Sequence, residues 1–267
     1  MFLEQDFIEV NYAKIDNSGE SARPLLSQGH KLIGTIGSLY VFQREYAVVT
    51  PHDNSTTTCC SVVVRHSGSG VVSVGHFDGS GVQEGVSDMV TKVQQFSSLL
   101  GGHGVLEVHI AGGFLDRRGY SEDLAVQLLL AFHRQIVNIH LVTFCVCNVN
   151  NLFKGSANYP IVCGVSVNVK TGEIFPSTFT ERGPESTLRG ARLLTGGSHE
   201  MLDMYETQIG VAKIDPFNYE PMRGIDLWLN EGDDFILQQN PFPSVTVFAE
   251  SRPLYFRKDE YGQWIAI

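Results

Sequence analysis

The sequence predicts a single α/β domain with mixed sheets over residues 1–267, and three observations carry that reading. Short β-branched runs recur from Leu39 onward, two stretches carry apolar residues at helical spacing, and hairpin signals join several of the runs. A chain of 267 residues can bury a core without disulfide staples or structural metal. Hydrophobic residues make up 43% and charged residues 18%, below the roughly 25% of ordinary soluble domains, which favours a packed globule over disorder.

The first 36 residues show no clear period. Leu39–Phe42 and Tyr46–Val49 read as strands ended by Pro51-His52-Asp53-Asn54. Cys59–His66 and Val71–His76 form a hairpin around Ser67-Gly68-Ser69-Gly70, because Gly and Ser supply the turn freedom. Val82, Val86, Met89, Val90, Val93 and Phe96 fall on one helical face, so a helix is predicted over Val82–Leu100. Val105–Gly112 is a strand. Ser121 is the expected cap of a helix whose Leu124, Leu128, Leu129 and Phe132 share a face. Ile139–Cys147 reads as a buried strand, and Ile161–Val169 pairs with Glu173–Phe179 around Lys170-Thr171-Gly172. Pro184 opens a helix closed by Gly196-Gly197. A last hairpin joins Leu254–Arg257 to Gln263–Ile267.

Charge and cysteine usage exclude several functions. A net charge of −10 is wrong for a protein that wraps phosphates with clustered Lys and Arg, so no nucleic-acid partner is expected. No apolar run is long enough to span a bilayer, and Met1–Asp6 lacks the basic start of a secretory signal. Five cysteines, with Cys59 and Cys60 adjacent, do not suit a disulfide framework. An intracellular, reduced protein without a membrane partner is expected.

Several motifs fail on spacing. Gly68-Ser69-Gly70 and Gly79-Ser80-Gly81 are followed by Ser73 and Glu84 where a dinucleotide loop needs glycine. His199-Glu200 opens a zinc-protease pattern that Asp203 breaks. Cys145 and Cys147, on one face of their strand, read as core residues, and no ligand set completes a metal site. No metal or cofactor is expected.

The chemistry concentrates at the first hairpin. A two-residue turn at Ser67-Gly68 would set Cys59 directly opposite His76, within reach of a thiol–imidazole contact. A longer turn would shift the partner by two, to Asp78. An adjacent imidazole turns a modest nucleophile into an effective one by favouring the thiolate. The same spacing also serves a core cysteine beside a strand-end histidine.

These residues resemble a known family. Thr56-Thr57-Thr58-Cys59, then Ser61–His66 and His76-Phe77-Asp78-Gly79, are similar to the protein N-terminal asparagine amidohydrolases. The likeness continues through Leu106–Phe114, Ile139–Thr143, Glu181–Glu185, Ala191-Arg192 and Asp226–Leu229. It implies a layered α-β-β-α sandwich similar to bacterial chemoreceptor glutamine deamidase, which shares the Cys-to-His separation. It implies deamidation of an N-terminal asparagine to aspartate on proteins or peptides with a free terminus, feeding the N-degron pathway. The compartments it implies are cytoplasm and nucleus. Cys59 is the nucleophile by resemblance and His76 its acid–base partner. Backbone N–H groups around Thr58 and Cys60 are the oxyanion candidates, with Cys60 itself on the other strand face.

Four further residues are candidates for substrate binding. Glu107 and His109 share a strand face, Asp78 follows His76 closely, and Glu181 enters by resemblance alone. Each has a plainer reading as an ion pair, a turn or a helix-start charge. Two other functions use the same residues: a glutamine deamidase with a different pocket, and a binding protein on an inactive scaffold. One methylene separates the two amides, and a pocket discriminates that by only about 1–3 kcal/mol.

Overall fold

In a computed structural model, residues 19–51, 56–58, 61–191, 199–215 and 253–267 are described. The chain forms α1 (Arg23–Leu26), β1 (Lys31–Ile33), β2 (Ser38–Tyr40), β3 (Glu45–Val49), β4 (Thr56–Thr58), β5 (Ser61–His66) and β6 (Val72–Gly75). There follow α2 (Val82–Leu100), β7 (Leu106–Gly112), α3 (Tyr120–His133), β8 (Ile139–Val146), β9 (Asn151–Lys154) and β10 (Ala157–Pro160). β11 (Val165–Asn168), β12 (Ile174–Phe179), α4 (Ser186–Ala191), β13 (Leu202–Asp203), β14 (Tyr205–Glu206), β15 (Val211–Ile214), β16 (Leu254–Lys258) and β17 (Trp264–Ala266) are the remaining elements among the described residues.

A six-stranded mixed sheet, β13-β3-β6-β5-β7-β8, organises the molecule. Its strands are apolar on both faces, because both faces are covered. Val62, Val64, Val108 and Ile110 pack against Val86, Met89, Val90, Val93, Leu128 and Phe132 of α2 and α3. The opposite face presents Ala47, Val49, Val63, Val72 and Val74 to Leu39, Val167 and Val169 of a five-stranded sheet, β1-β12-β11-β4-β2, and to Ala212, Ile214 and Phe256 of a four-stranded one. The protein is thus a mixed α/β molecule with a helical layer on one face of its main sheet and further sheets on the other.

Most predicted elements are present, and the departures have local causes. The turn between β5 and β6 spans Ser67–Gly70, since the His66 N–H donates to Val71 O and the Gly70 N–H to His66 O. Gly68 lies against the His103 carbonyl, where any Cβ would collide, and Gly70 takes φ +73°. α3 begins at Tyr120, with Asp116 as its acceptor: Oδ2 takes the Ser121 N–H at 2.8 Å and Oδ1 the Tyr120 N–H at 3.1 Å. The Ser121 hydroxyl instead accepts from the Phe114 N–H. α4 begins at Ser186, two residues after Pro184, and its expected glycine stop lies outside the described residues. Cys145 and Cys147 are buried as expected, but on different faces: Cys145 between the sheets and Cys147 against the helical layer, beyond the end of β8 at φ +49°.

Candidate active site

The chain leaves the second sheet after Thr58 and enters the main sheet at Ser61. Thr58 pairs with Ser166 of β11, and Tyr40 of β2 also pairs with it, so β4 belongs to the second sheet. Ser61 pairs with Ala111 of β7, so β5 opens in the main sheet. Cys59 and Cys60 are the two residues between and lie outside the described residues.

The register differs from the two-residue turn expected from sequence. Val62 pairs with Gly75 and Val64 with Ser73, the frame of the longer turn. One step beyond the last pair, His76 is level with Ser61. Alternation of side chains puts His76 on the face of Val72 and Val74, between the sheets. Ser61 of β5 and His76 therefore stand at the same end of the main sheet.

His76 sits where the β6 ladder has ended, and its backbone turns to the other neighbour. Its N–H donates to Glu45 O at 3.0 Å and its carbonyl accepts the Arg44 N–H at 2.8 Å. Nδ1 is sealed from solvent and has no hydrogen-bond partner among the described residues. Such orphaned buried atoms are uncommon and call for a reason, catalysis among them. Burial lowers the imidazole pKa from 6.5 to about 4, outweighing the upward pull of Asp78 and then Glu45. At neutral pH the ring is uncharged and can accept a proton.

The other candidates separate clearly. Asp78 accepts from Arg44 Nε at 2.6 Å, Gln43 Nε2 at 2.7 Å and the Ser80 N–H at 3.0 Å. Burial raises its pKa, but these donors outweigh it and leave the carboxyl below its ordinary range. Arg44 is the counter-cation that a partly buried acid requires. Glu107 accepts from Arg65 Nη1 at 2.9 Å and pairs in register with it. Ala111, not Glu107, is level with Ser61, and four residues at about 3.3 Å each part Glu107 from that row. Glu107 thus lies well along the strand from the row of His76. His109 shares that face as expected, bonds Thr143 Oγ1 through Nδ1 at 2.9 Å, and opens on a cleft of about 560 Å³ with Gln28 and Glu173. Burial holds its pKa at about 4. Glu181 is half-buried near Lys258, whose pKa burial lowers while Glu181 opposes the shift.

Two buried neutral imidazoles make the fold acid-sensitive. Above pH 6.5 both rings are neutral in folded and unfolded chains, and pH has no effect through them. As pH falls through 6.5 the unfolded chain takes up protons that the folded chain refuses, so stability declines until about pH 4 and then levels. The loss is of order 3 kcal/mol per ring. Urea midpoints measured between pH 7 and 4 should show it, and His109→Gln, which keeps a partner for Thr143, should flatten the decline. An equal decline in that variant would contradict the assignment to His109.

Sequence reasoning missed Glu45, Arg44 and Arg189. Glu45 and Arg189 are each 1% exposed and form a bidentate ion pair, Nε–Oε1 3.0 Å and Nη2–Oε2 2.7 Å. The available signal was weak: an Arg44-Glu45 pair directly before the apolar run Tyr46–Val49, with nothing in the surroundings of Arg189 to single it out. Among the described residues no His, Cys, Asp or Glu group converges as a metal site requires, and no described helix is long and apolar enough to cross a membrane.

Comparison with known proteins identifies the family. The family model of protein N-terminal asparagine amidohydrolase matches residues 28–239. A curated protein of that name from Sus scrofa is 37% identical over 92% of this chain and 88% of its own length. Its Homo sapiens counterpart is 36% identical over 92% and 89%. One from Arabidopsis thaliana is 31% identical over 69% of this chain and 59% of its own length. The chain belongs to the protein N-terminal asparagine amidohydrolase family, a family of hydrolases.

Proposed function

We propose that this protein hydrolyses the side-chain amide of an N-terminal asparagine on proteins or peptides, giving aspartate and ammonia, as one amidohydrolase domain over residues 1–267. Its place would be the cytoplasm and nucleus, its product an N-degron residue, and its layering that of the glutamine deamidases. The observation that supports this best is His76. A neutral imidazole with an orphaned Nδ1 stands level with Ser61, two residues from the only cysteine that matches the family's nucleophile motif.

The steps balance without a cofactor. His76 accepts the Cys59 thiol proton as sulfur attacks the asparagine Cγ, and backbone N–H groups near Thr58 and Cys60 take the oxyanion. His76 returns that proton to the leaving nitrogen, the C–N bond breaks, and a thioester and ammonia remain. Water then attacks the thioester while His76 takes its proton and passes it to sulfur, freeing the aspartate.

Selectivity for a chain end requires a carboxylate that reads the α-ammonium. Asp78 is close enough to act on His76, and its Arg44 partner holds the acid ready until substrate shares it. Glu181 is the second candidate, on a loop fastened to the same region; Glu107 and His109 would line the path of the chain beyond. Mass spectrometry of peptides beginning with Asn, Gln or acetyl-Asn tests the reading: only free Asn should gain the mass change of deamidation. Turnover of Gln, or of acetyl-Asn equally well, would contradict it. Asp78→Asn should raise KM for free Asn termini by about tenfold. Its effect and that of acetylation should not add, because both remove one interaction.

A further inference from the structure

We propose that the buried Arg189–Glu45 pair is a positioning clamp that fixes His76 relative to the Arg182–Pro184 loop. This rests on the role given to His76 above. Both its backbone groups bond to residues 44 and 45, outside the β5–β6 ladder, so the turn before β3 sets the ring. That turn is tight and strained: the Glu45 N–H donates to Phe42 O at 3.0 Å, and Arg44 takes φ +61°, which disfavours a side chain. Local bonds alone do not hold such a turn, and the surroundings must over-determine it.

Arg189 supplies that determination. Its fork takes both Glu45 oxygens, while Glu45 Oε2 also accepts the Phe42 N–H at 2.8 Å, closing the turn from inside. The remaining guanidinium hydrogens reach Tyr40 O at 2.7 Å, Arg182 O at 3.0 Å and Pro184 O at 3.2 Å. The group lies over the Phe42 ring, 4.7 Å from its centroid. One planar cation therefore ties together the end of β2, the turn that carries His76, and the loop after Glu181. A buried ion pair is a poor source of stability compared with an apolar replacement of the same volume. Lysine could neutralise Glu45 but could not hold three carbonyls of two loops at fixed angles. The charged groups facing His76 are Asp78 and Glu45, with their partners Arg44 and Arg189.

The test uses the full chain with R189K, which keeps the charge and loses the fork, and the double variant E45Q/R189M, which leaves no uncompensated charge. Thermal melting checks that each is folded. A clamp predicts that kcat on an Asn peptide falls at least tenfold with KM changed less than threefold. It also predicts that the acid limb of the rate profile rises by a unit or more from about pH 4, as the loosened ring meets water. A folded variant with kcat within threefold of wild type and an unmoved acid limb would overturn the clamp. If the wild-type protein does not deamidate Asn peptides, the proposed function fails instead. NMR titration of the His76 ring then decides the clamp by itself: a raised pKa in the folded variants supports it, and an unchanged one overturns it.

Discussion

Cys59→Ala is expected to reduce ammonia release from Asn peptides by at least about a thousandfold, the scale seen when a nucleophile that cannot be bypassed is removed. Cys60→Ala is expected to stay within a few fold of wild type. The two residues are neighbours, so any general damage to the sheet crossing would strike both. Thr58 belongs to the second sheet and Ser61 to the main one, with only these two residues between them in sequence. Far-ultraviolet circular dichroism and melting would show whether either change disturbs the fold. Equal loss in both variants with lowered melting temperatures would mark the pair as structural. Equal loss with intact folding would mean that Cys60 shares the chemistry.

His76→Gln is the second large effect, expected at roughly 10²–10⁴-fold in kcat, the range for a general acid–base group. Glutamine keeps the backbone bonds to Glu45 and Arg44, so the turn survives while proton transfer does not. The pH profile carries more information than the size of the loss. In the wild type, protonation of His76 removes the base, so kcat/KM should hold on the acid side past pH 6 and fall near pH 4. A fall centred on 6.5 would mean that the ring is solvated in the working enzyme. Stopped kinetics on either side of pH 5 distinguish the two.

Elements with a strong period were readable from sequence because local pattern determines them. α2 carries its apolar stripe on six residues and runs over Val82–Leu100 as expected, and β7 alternates cleanly between sheet and helices. What escaped is what distant contacts decide. Ser67–Gly70 permits a turn at any of its four residues, and the close approach of the His103 backbone to Gly68, far along the chain, is invisible to local pattern. Ser121 and Asp116 are both good acceptors, and the position of the loop before α3 chose Asp116. The β9–β10 hairpin has no hydrophobic alternation to reveal it. It is held by side-chain amides: Asn151 Nδ2 donates to Asn158 Oδ1, and Asn158 Nδ2 to Leu115 O.

The candidate site divides along the same line. Cys59 and His76 were legible because one hairpin and one family motif contain them. Their register was not, since it depends on the turn. Asp78 was readable as a neighbour of His76 in sequence, whereas its capture by Arg44 and Gln43 follows from a loop more than thirty residues earlier. Glu107 shares the right face but lies too far along it, a distance that alternation alone does not measure. Arg189 and Glu45 are 144 positions apart, and no local pattern pairs them.

The most direct test of the account is capture of the covalent intermediate. Wild-type protein mixed with an Asn-initiated peptide and quenched in acid within milliseconds should yield a Cys59-containing fragment heavier by the peptide mass less one ammonia. That adduct should disappear on longer incubation as free Asp-initiated peptide accumulates, and it should be absent with the acetylated peptide. Steady deamidation with no adduct on Cys59 at any time, together with full activity in Cys59→Ala, would show that the amide is hydrolysed without this thiol and would contradict the mechanism.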